Sequence, residues 1–201
     1  MFALIDDQQI TKFFSGNRGV TLGDVQYPKS IFSLWSEAER NAIGIYEVTV
    51  DTTNRKDEQW YINTNVSYGV ESNKAVGSYG TATAKAHADI LFTAQDEIDG
   101  LGTEGEVAAR GLKYNLIQTV KRQAAGILQD TDWYIVRKAD AGTAVPSAIT
   151  THRAAVRTKA AEQETAITTA ADTPALETLY TYTTTDGVQS RPLGELPRLD
   201  S

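Results

Sequence analysis

The chain has 201 residues, 41% of them hydrophobic and 22% charged, and a formal net charge of −7. That length fits one domain, or a small domain with an appended element, and is enough to bury a core. The negative balance disfavours a nucleic-acid binder or an anionic-membrane binder, since both surfaces repel it, and the lack of cysteine excludes disulfides and thiolate metal sites and suits a reducing cytoplasm.

The first residues, Met1-Phe2-Ala3-Leu4-Ile5-Asp6-Asp7, have no basic stretch and no long apolar run, so they do not read as a signal peptide. Residues 2–5 and 10–14 are short apolar strands, and Asp6-Asp7-Gln8-Gln9 is the hairpin turn between them. Ser15-Gly16-Asn17-Arg18-Gly19 is a second turn cluster. Tyr27-Pro28 marks extended backbone, because proline disfavours the α conformation in the residue before it. Ser36-Glu37-Ala38-Glu39 is a capping-box pattern that predicts a short helix ending near Gly44. Residues 45–50 then read as a strand. Trp60, Ile62, Thr64, Val66, Tyr68 and Val70 alternate with mostly polar neighbours, which predicts one half-buried antiparallel strand. Glu71-Ser72-Asn73-Lys74 turns the chain, and residues 75–79 return as its partner.

Residues 81–110 carry a weaker signal, with one short apolar element at Ile90-Leu91-Phe92. The C-terminal part reads as helical. Leu112, Leu116, Val120, Ala124, Ile127 and Leu128 share one face at spacings of three and four. Gln129-Asp130-Thr131-Asp132 breaks that pattern, residues 133–136 read as extended, and Ala139-Asp140-Ala141-Gly142 reads as a turn. A second, alanine-rich helix over 146–171, about 39 Å long at ~1.5 Å per residue, carries its stripe at Ile149, Arg153, Val156, Ala160 and Ile167. Pro146 is tolerated in its first turn. Asp172-Thr173-Pro174 interrupts it, Leu176, Leu179 and Tyr180 suggest one more short helix, and the tail from Thr181 reads as extended. No apolar run approaches the ~20 residues that a membrane span needs.

The predicted fold class is therefore α+β. An N-terminal antiparallel β-rich domain with a short helix (1–80) is followed by a connector (81–110), an antiparallel helical hairpin (111–180) and an extended tail (181–201). Trp133 is expected to pack under the hairpin, where truncating a buried ring to alanine costs about 3–5 kcal/mol. Arg153 and Arg157 lie one helical turn apart, and Asp132 is a natural ion-pair partner for one of them. Tyr134 and Arg137 are the candidates for partner binding.

The sequence carries little that points to catalytic or ligand chemistry. Gly100-Leu101-Gly102-Thr103-Glu104-Gly105 matches G-x-G-x-x-G, but acidic residues surround it and would repel a diphosphate, so it reads as a loop. Asp96, Glu97, Asp99, Glu104 and Glu106 do not fit a calcium-loop spacing and read as a solvated acidic loop. His87 and His152 have no metal-spaced partner, and no G-x-S-x-G elbow is present. No catalytic residue, metal or cofactor is assigned. Trp60, Tyr61, Tyr68 and Tyr79 could offer aromatic faces to a sugar, although Trp60 and Tyr68 share the apolar face, where core is the simpler fate.

Several segments carry a resemblance. Gly111-Leu112-Lys113-Tyr114-Asn115-Leu116-Ile117, Thr131-Asp132-Trp133-Tyr134-Ile135-Val136-Arg137, Val145-Pro146 and His152-Arg153-Ala154-Ala155-Val156-Arg157 resemble the C-terminal helical region of bacteriophage tail-fibre assembly proteins. Those proteins often show a T/S-D-W segment followed by an aromatic-Arg helix with a second Arg four residues on. The layout of Tyr27-Pro28, Trp35-Ser36-Glu37-Ala38-Glu39 and Gly44-Ile45-Tyr46-Glu47-Val48 is similar to their front half. Residues 81–110 fall outside the likeness. The resemblance implies a role in folding, trimerising or attaching tail fibres through contacts with a tail-fibre or baseplate protein. The protein would act in the host cytoplasm during assembly or stay in the virion tail, and no catalytic residue carries over.

Overall fold

In the computed structural model, residues 1–199 are described, and the chain is mixed α and β, with strands dominating the first half and helices the second. It divides into two compact units, Met1–Thr83 and the remainder from Ala84.

The first unit opens with the hairpin β1 (Phe2–Asp6) and β2 (Gln9–Phe14). Its turn places Asp7 and Gln8 at positive φ, 47° and 61°, the mirror-image turn whose twist matches that of the strands. A second hairpin, β3 (Val20–Leu22) with β4 (Val25–Tyr27), leads to α1 (Ile31–Leu34) and α2 (Glu37–Asn41). The capping box of α2 forms as expected: the Glu39 amide donates to Ser36 Oγ, and the Ser36 amide donates back to the Glu39 carboxylate at 2.7 Å. Then come β5 (Ile45–Asp51), β6 (Tyr61–Ile62), β7 (Val66–Glu71), β8 (Lys74–Tyr79) and β9 (Thr83–Ala84).

Five strands form the main sheet in the order β2-β1-β5-β8-β7. The expectation of a purely antiparallel sheet is corrected here, because β5 and β8 pair in parallel, Val48 opposite Ala75. The sheet curls until its outer strands meet, with the Phe13 and Tyr68 rings edge to face at 5.0 Å. Phe14, Val20, Ile31 and Ile45 form its core, and Phe2, Phe32 and Trp35 pack against them.

The single strand expected over 60–70 is broken. The Asn63 side chain accepts from the Lys56 amide (2.9 Å) and donates to the Lys56 carbonyl (2.8 Å). That pair of bonds takes the place of ladder partners, and the chain leaves the strand before Val66.

The second unit begins with β10 (Ile90–Leu91), α3 (Ala94–Ile98) and β11 (Val107–Ala109). Four helices follow: α4 (Leu112–Gln129), α5 (Asp132–Ala141), α6 (Ser147–Thr169) and α7 (Thr173–Tyr180). The last strands, β12 (Thr183–Thr185) and β13 (Val188–Ser190), pair through Thr184 and Gln189. Helices α4 and α6 lie side by side in opposite directions. Lys113 Nζ donates to Thr168 O at one end, and Arg153 Nη1 donates to Leu128 O at the other. Val120 and Ala124 of α4 are buried together with Ile149, Val156, Ala160 and Ile167 of α6. The stripe read from the sequence of α6 is its buried face, widened by His152 and Gln163.

Residues 133–136, expected as extended, are helical and belong to α5. The turn expected at 139–142 is the end of that helix, which stops at Gly142 with φ 69°, a left-handed cap that glycine adopts without cost.

Candidate functional site

The last carbonyls of a helix have no partner within it. At the end of α4 the Leu128 carbonyl accepts from the Thr131 amide at 3.1 Å and also from a side chain of α6. Arg153, 7% exposed, directs Nη1 to Leu128 O (2.7 Å) and to Thr131 Oγ (2.6 Å), and Nη2 to Asp132 Oδ1 (2.8 Å). Thr131 is itself buried and donates its hydroxyl to Leu128 O. One guanidinium therefore ties together the end of α4, the linking residue and the first residue of α5. Asp132 lies in the first turn of α5, where a negative charge also suits the helix dipole.

The structure thus brings Asp132 and Arg153 together, as the sequence suggested for one of the two arginines. It leaves Arg157 exposed and outside this network. Thr131 and the Leu128 carbonyl complete the arrangement. The sequence signal for Thr131 is slight, a hydroxyl just before an acidic helix start.

Trp133 does not pack under the helices. It is 51% exposed, on a residue that is helical rather than extended. Its ring lies 3.8 Å, centroid to centroid, from that of Tyr134. The Arg137 guanidinium sits 4.6 Å from the Trp133 ring and 5.3 Å from the Tyr134 ring, within range for cation–π attraction. Ile135 and Val136 beside them are exposed as well. Residues 133–137 therefore form a largely apolar surface, capped by one cation and anchored at its start by Arg153.

A second polar cluster sits at the tail. Arg191 Nη2 donates to Glu195 Oε2 at 2.9 Å, and Tyr182 donates its hydroxyl to Glu195. Arg191 also faces the Tyr180 and Tyr182 rings at 5.3 and 5.2 Å. The Glu195 bond holds the Tyr182 phenol above its ordinary pKa, and burial raises that of Tyr180. The four-residue spacing of Arg191 and Glu195 was the one sequence signal for this cluster.

The other motifs have structural roles. In the G-x-G-x-x-G segment, Gly102 lies against the Phe92 ring, which a Cβ there would approach to 2.3 Å. The Asp96 carboxylate accepts from the Thr93 amide and hydroxyl at the start of α3. Among the described residues, no group of three or more His, Asp or Glu is placed to hold a metal ion. Trp60 and Tyr61 are 3% and 5% exposed, so neither offers a face to a sugar; Tyr68, expected in the core with Trp60, is instead 42% exposed with its ring edge to face with Phe13.

No family model, curated protein or solved structure matches the chain.

Proposed function

We propose that this protein is a bacteriophage tail protein that acts in tail-fibre assembly or attachment by binding another protein, without catalysis. The observation that carries the reading is the exposed Trp133 ring, stacked with half-buried Tyr134 and Arg137, on a helix whose first turn is fixed by Arg153. Trp, Tyr and Arg are the residues that dominate binding energy at protein interfaces. An apolar surface held on a short, anchored helix loses little freedom when a partner covers it. The Thr131-Asp132-Trp133 segment and the Arg153/Arg157 pair, which resemble tail-fibre assembly proteins, supply the phage context. The partner is then a tail-fibre or baseplate protein met in the host cytoplasm.

Co-expression tests this. The protein is expected to co-purify with a tail-fibre or baseplate protein and to raise the yield of soluble, trimeric fibre. Fibre that trimerises equally well in its absence removes the assembly role. A second form of the reading keeps the protein as a component of the tail, and mass spectrometry of purified particles separates the two. A sugar-binding role is weakened by the burial of Trp60 and Tyr61.

A further inference from the structure

Residues 78–110 are the longest stretch among the described residues in which none is buried. They nevertheless form regular elements. β10 and β11 pair with Leu91 opposite Val107, and the Phe92 amide donates to Glu106 O at 2.9 Å. Helix α3 starts on the Thr93–Asp96 capping box and ends at Gly100, with φ 72°. There the Leu101 amide donates to Asp96 O at 2.8 Å and the Gly100 amide to Glu97 O at 3.1 Å. The base of this lobe is tied to the helices behind it. The amides of Leu112 and Lys113 in α4 donate to Ala86 O and His87 O, and the Thr173 hydroxyl of α7 donates to Lys85 O.

Ordering backbone costs conformational entropy, which burial of apolar side chains normally offsets. Here the apolar side chains point outward: Ile98 is 77% exposed and Leu101 64%, and Ile90 and Leu91 are exposed too. In a helix ending of the α3 kind, the residue after the left-handed glycine commonly packs on an apolar side chain one turn back. The receiving positions here are Gln95 and Asp96, so neither gives Leu101 an apolar cover.

Charge decides what covers this patch. Between residues 90 and 109, Asp96, Glu97, Asp99, Glu104 and Glu106 are acidic and no residue is basic. Among the described residues none of the five is ion-paired. The Glu104 amide donates to the Glu97 carboxylate at 3.0 Å, which brings Glu104 to the helix end beside Ile98. A second copy of the patch would set acid against acid, and nucleic acid or an anionic membrane would be repelled. We propose that the Ile98–Leu101 end of α3 docks a cationic segment of another protein. Apolar side chains of that segment cover Ile98 and Leu101, and its lysines or arginines meet the surrounding carboxylates. The lobe is a second contact, away from α5 and of the opposite charge preference.

The test uses the isotope-labelled full chain, followed by NMR, and four probes: acetyl-Lys-Leu-Leu-Lys-amide, acetyl-Gln-Leu-Leu-Gln-amide, acetyl-Lys-Gly-Gly-Lys-amide and calcium chloride. The first peptide is expected to shift the Gly100, Leu101 and Gly102 amides saturably. It should bind at least about fivefold more tightly than either other peptide, as two exposed charge pairs and the covered leucines allow. Glu104→Gln/Glu106→Gln should weaken it. Ile98→Ser/Leu101→Ser should abolish it, with the amide shifts of β10 and β11 unchanged because both side chains are exposed in the free protein. Equal binding of the three peptides, the same shifts with calcium, shifts that grow with protein concentration alone, or no shifts at all overturn the assignment. The chain carrying Trp133→Ser/Arg137→Gln should bind the first peptide as wild type does, and loss of binding there would overturn the lobe as the site. The measurement needs no tail component, so its outcome is separate from that of the α5 reading.

Discussion

Arg153 performs two tasks with one charged group, and its neighbours share the load unequally. Its guanidinium is buried, whereas the Asp132 side chain is 56% exposed. The ion pair itself is therefore screened and contributes little, of the order of 1 kcal/mol or less. The bonds to Leu128 O and Thr131 Oγ are the ones that fix geometry. Asp132→Asn is expected to cost under about 1 kcal/mol. Arg153→Ala is expected to cost about 2–4 kcal/mol, because it removes the donor to the buried Thr131 hydroxyl and one of the donors to Leu128 O, and leaves a void. Urea denaturation of both variants checks the difference, and equal losses would contradict it.

Trp133 is the converse case. At 51% exposed it is stabilised by little burial, so Trp133→Ala should change stability by less than about 1 kcal/mol, far below the ~3–5 kcal/mol of a buried ring. Gly126→Ala should stabilise the free protein by about 0.5–1 kcal/mol, the helix cost of glycine, and a thermal melt reads it directly.

At the scale of elements, two helix starts depend on carboxylates. Hydrogen bonds from the Ser36 hydroxyl and amide hold the Glu39 carboxyl below the ordinary range, and bonds from the Thr93 amide and hydroxyl do the same for Asp96. A depressed pKa in the folded state means stability that is present above the unfolded value and is lost as pH falls through the folded one. The α2 and α3 caps should therefore loosen on acidification and be intact at neutral pH. An NMR titration of the two carboxyl carbons should show midpoints below those of the denatured chain. Midpoints at or above the denatured values would contradict the capping account.

These caps also mark what the sequence made legible. Ser36 and Glu39 stand at the spacing that the box requires, and the polar turns at Asp7-Gln8 and Ser72-Asn73 separate apolar runs, so those elements follow from local chemistry. The α6 stripe follows from its period. Trp133-Tyr134-Ile135-Val136 misleads because aromatic and β-branched residues favour strands. The Arg153 tie and the Asp132 start favour a helix there, and Arg153 comes from α6, which local sequence cannot place. The strand break at Asn63 has the same origin, a side chain bonded to backbone seven residues away. The Asp132–Arg153 pair was readable from charge. The exposure of Trp133 was not, since it depends on how α5 is turned.

At the scale of the whole molecule, the chain comprises two compact units, each with its own buried side chains. No helix among the described residues is long and apolar enough to cross a membrane. The net charge is −7, yet in the second unit Arg122, Arg191 and Arg198 gather at one pocket and Arg137 caps an exposed aromatic surface. Cation and aromatic surface of this kind is enriched where proteins meet, which suits the proposed contact with another protein.

The most direct test of that claim is capture of a co-expressed tail-fibre or baseplate protein by wild type and by the double variant Trp133→Ser/Arg137→Gln. Both chains should show the same denaturation midpoint. Wild type should retain the partner and the variant should lose most of it. Equal retention by a fully folded variant would contradict the assignment of α5 as the binding surface.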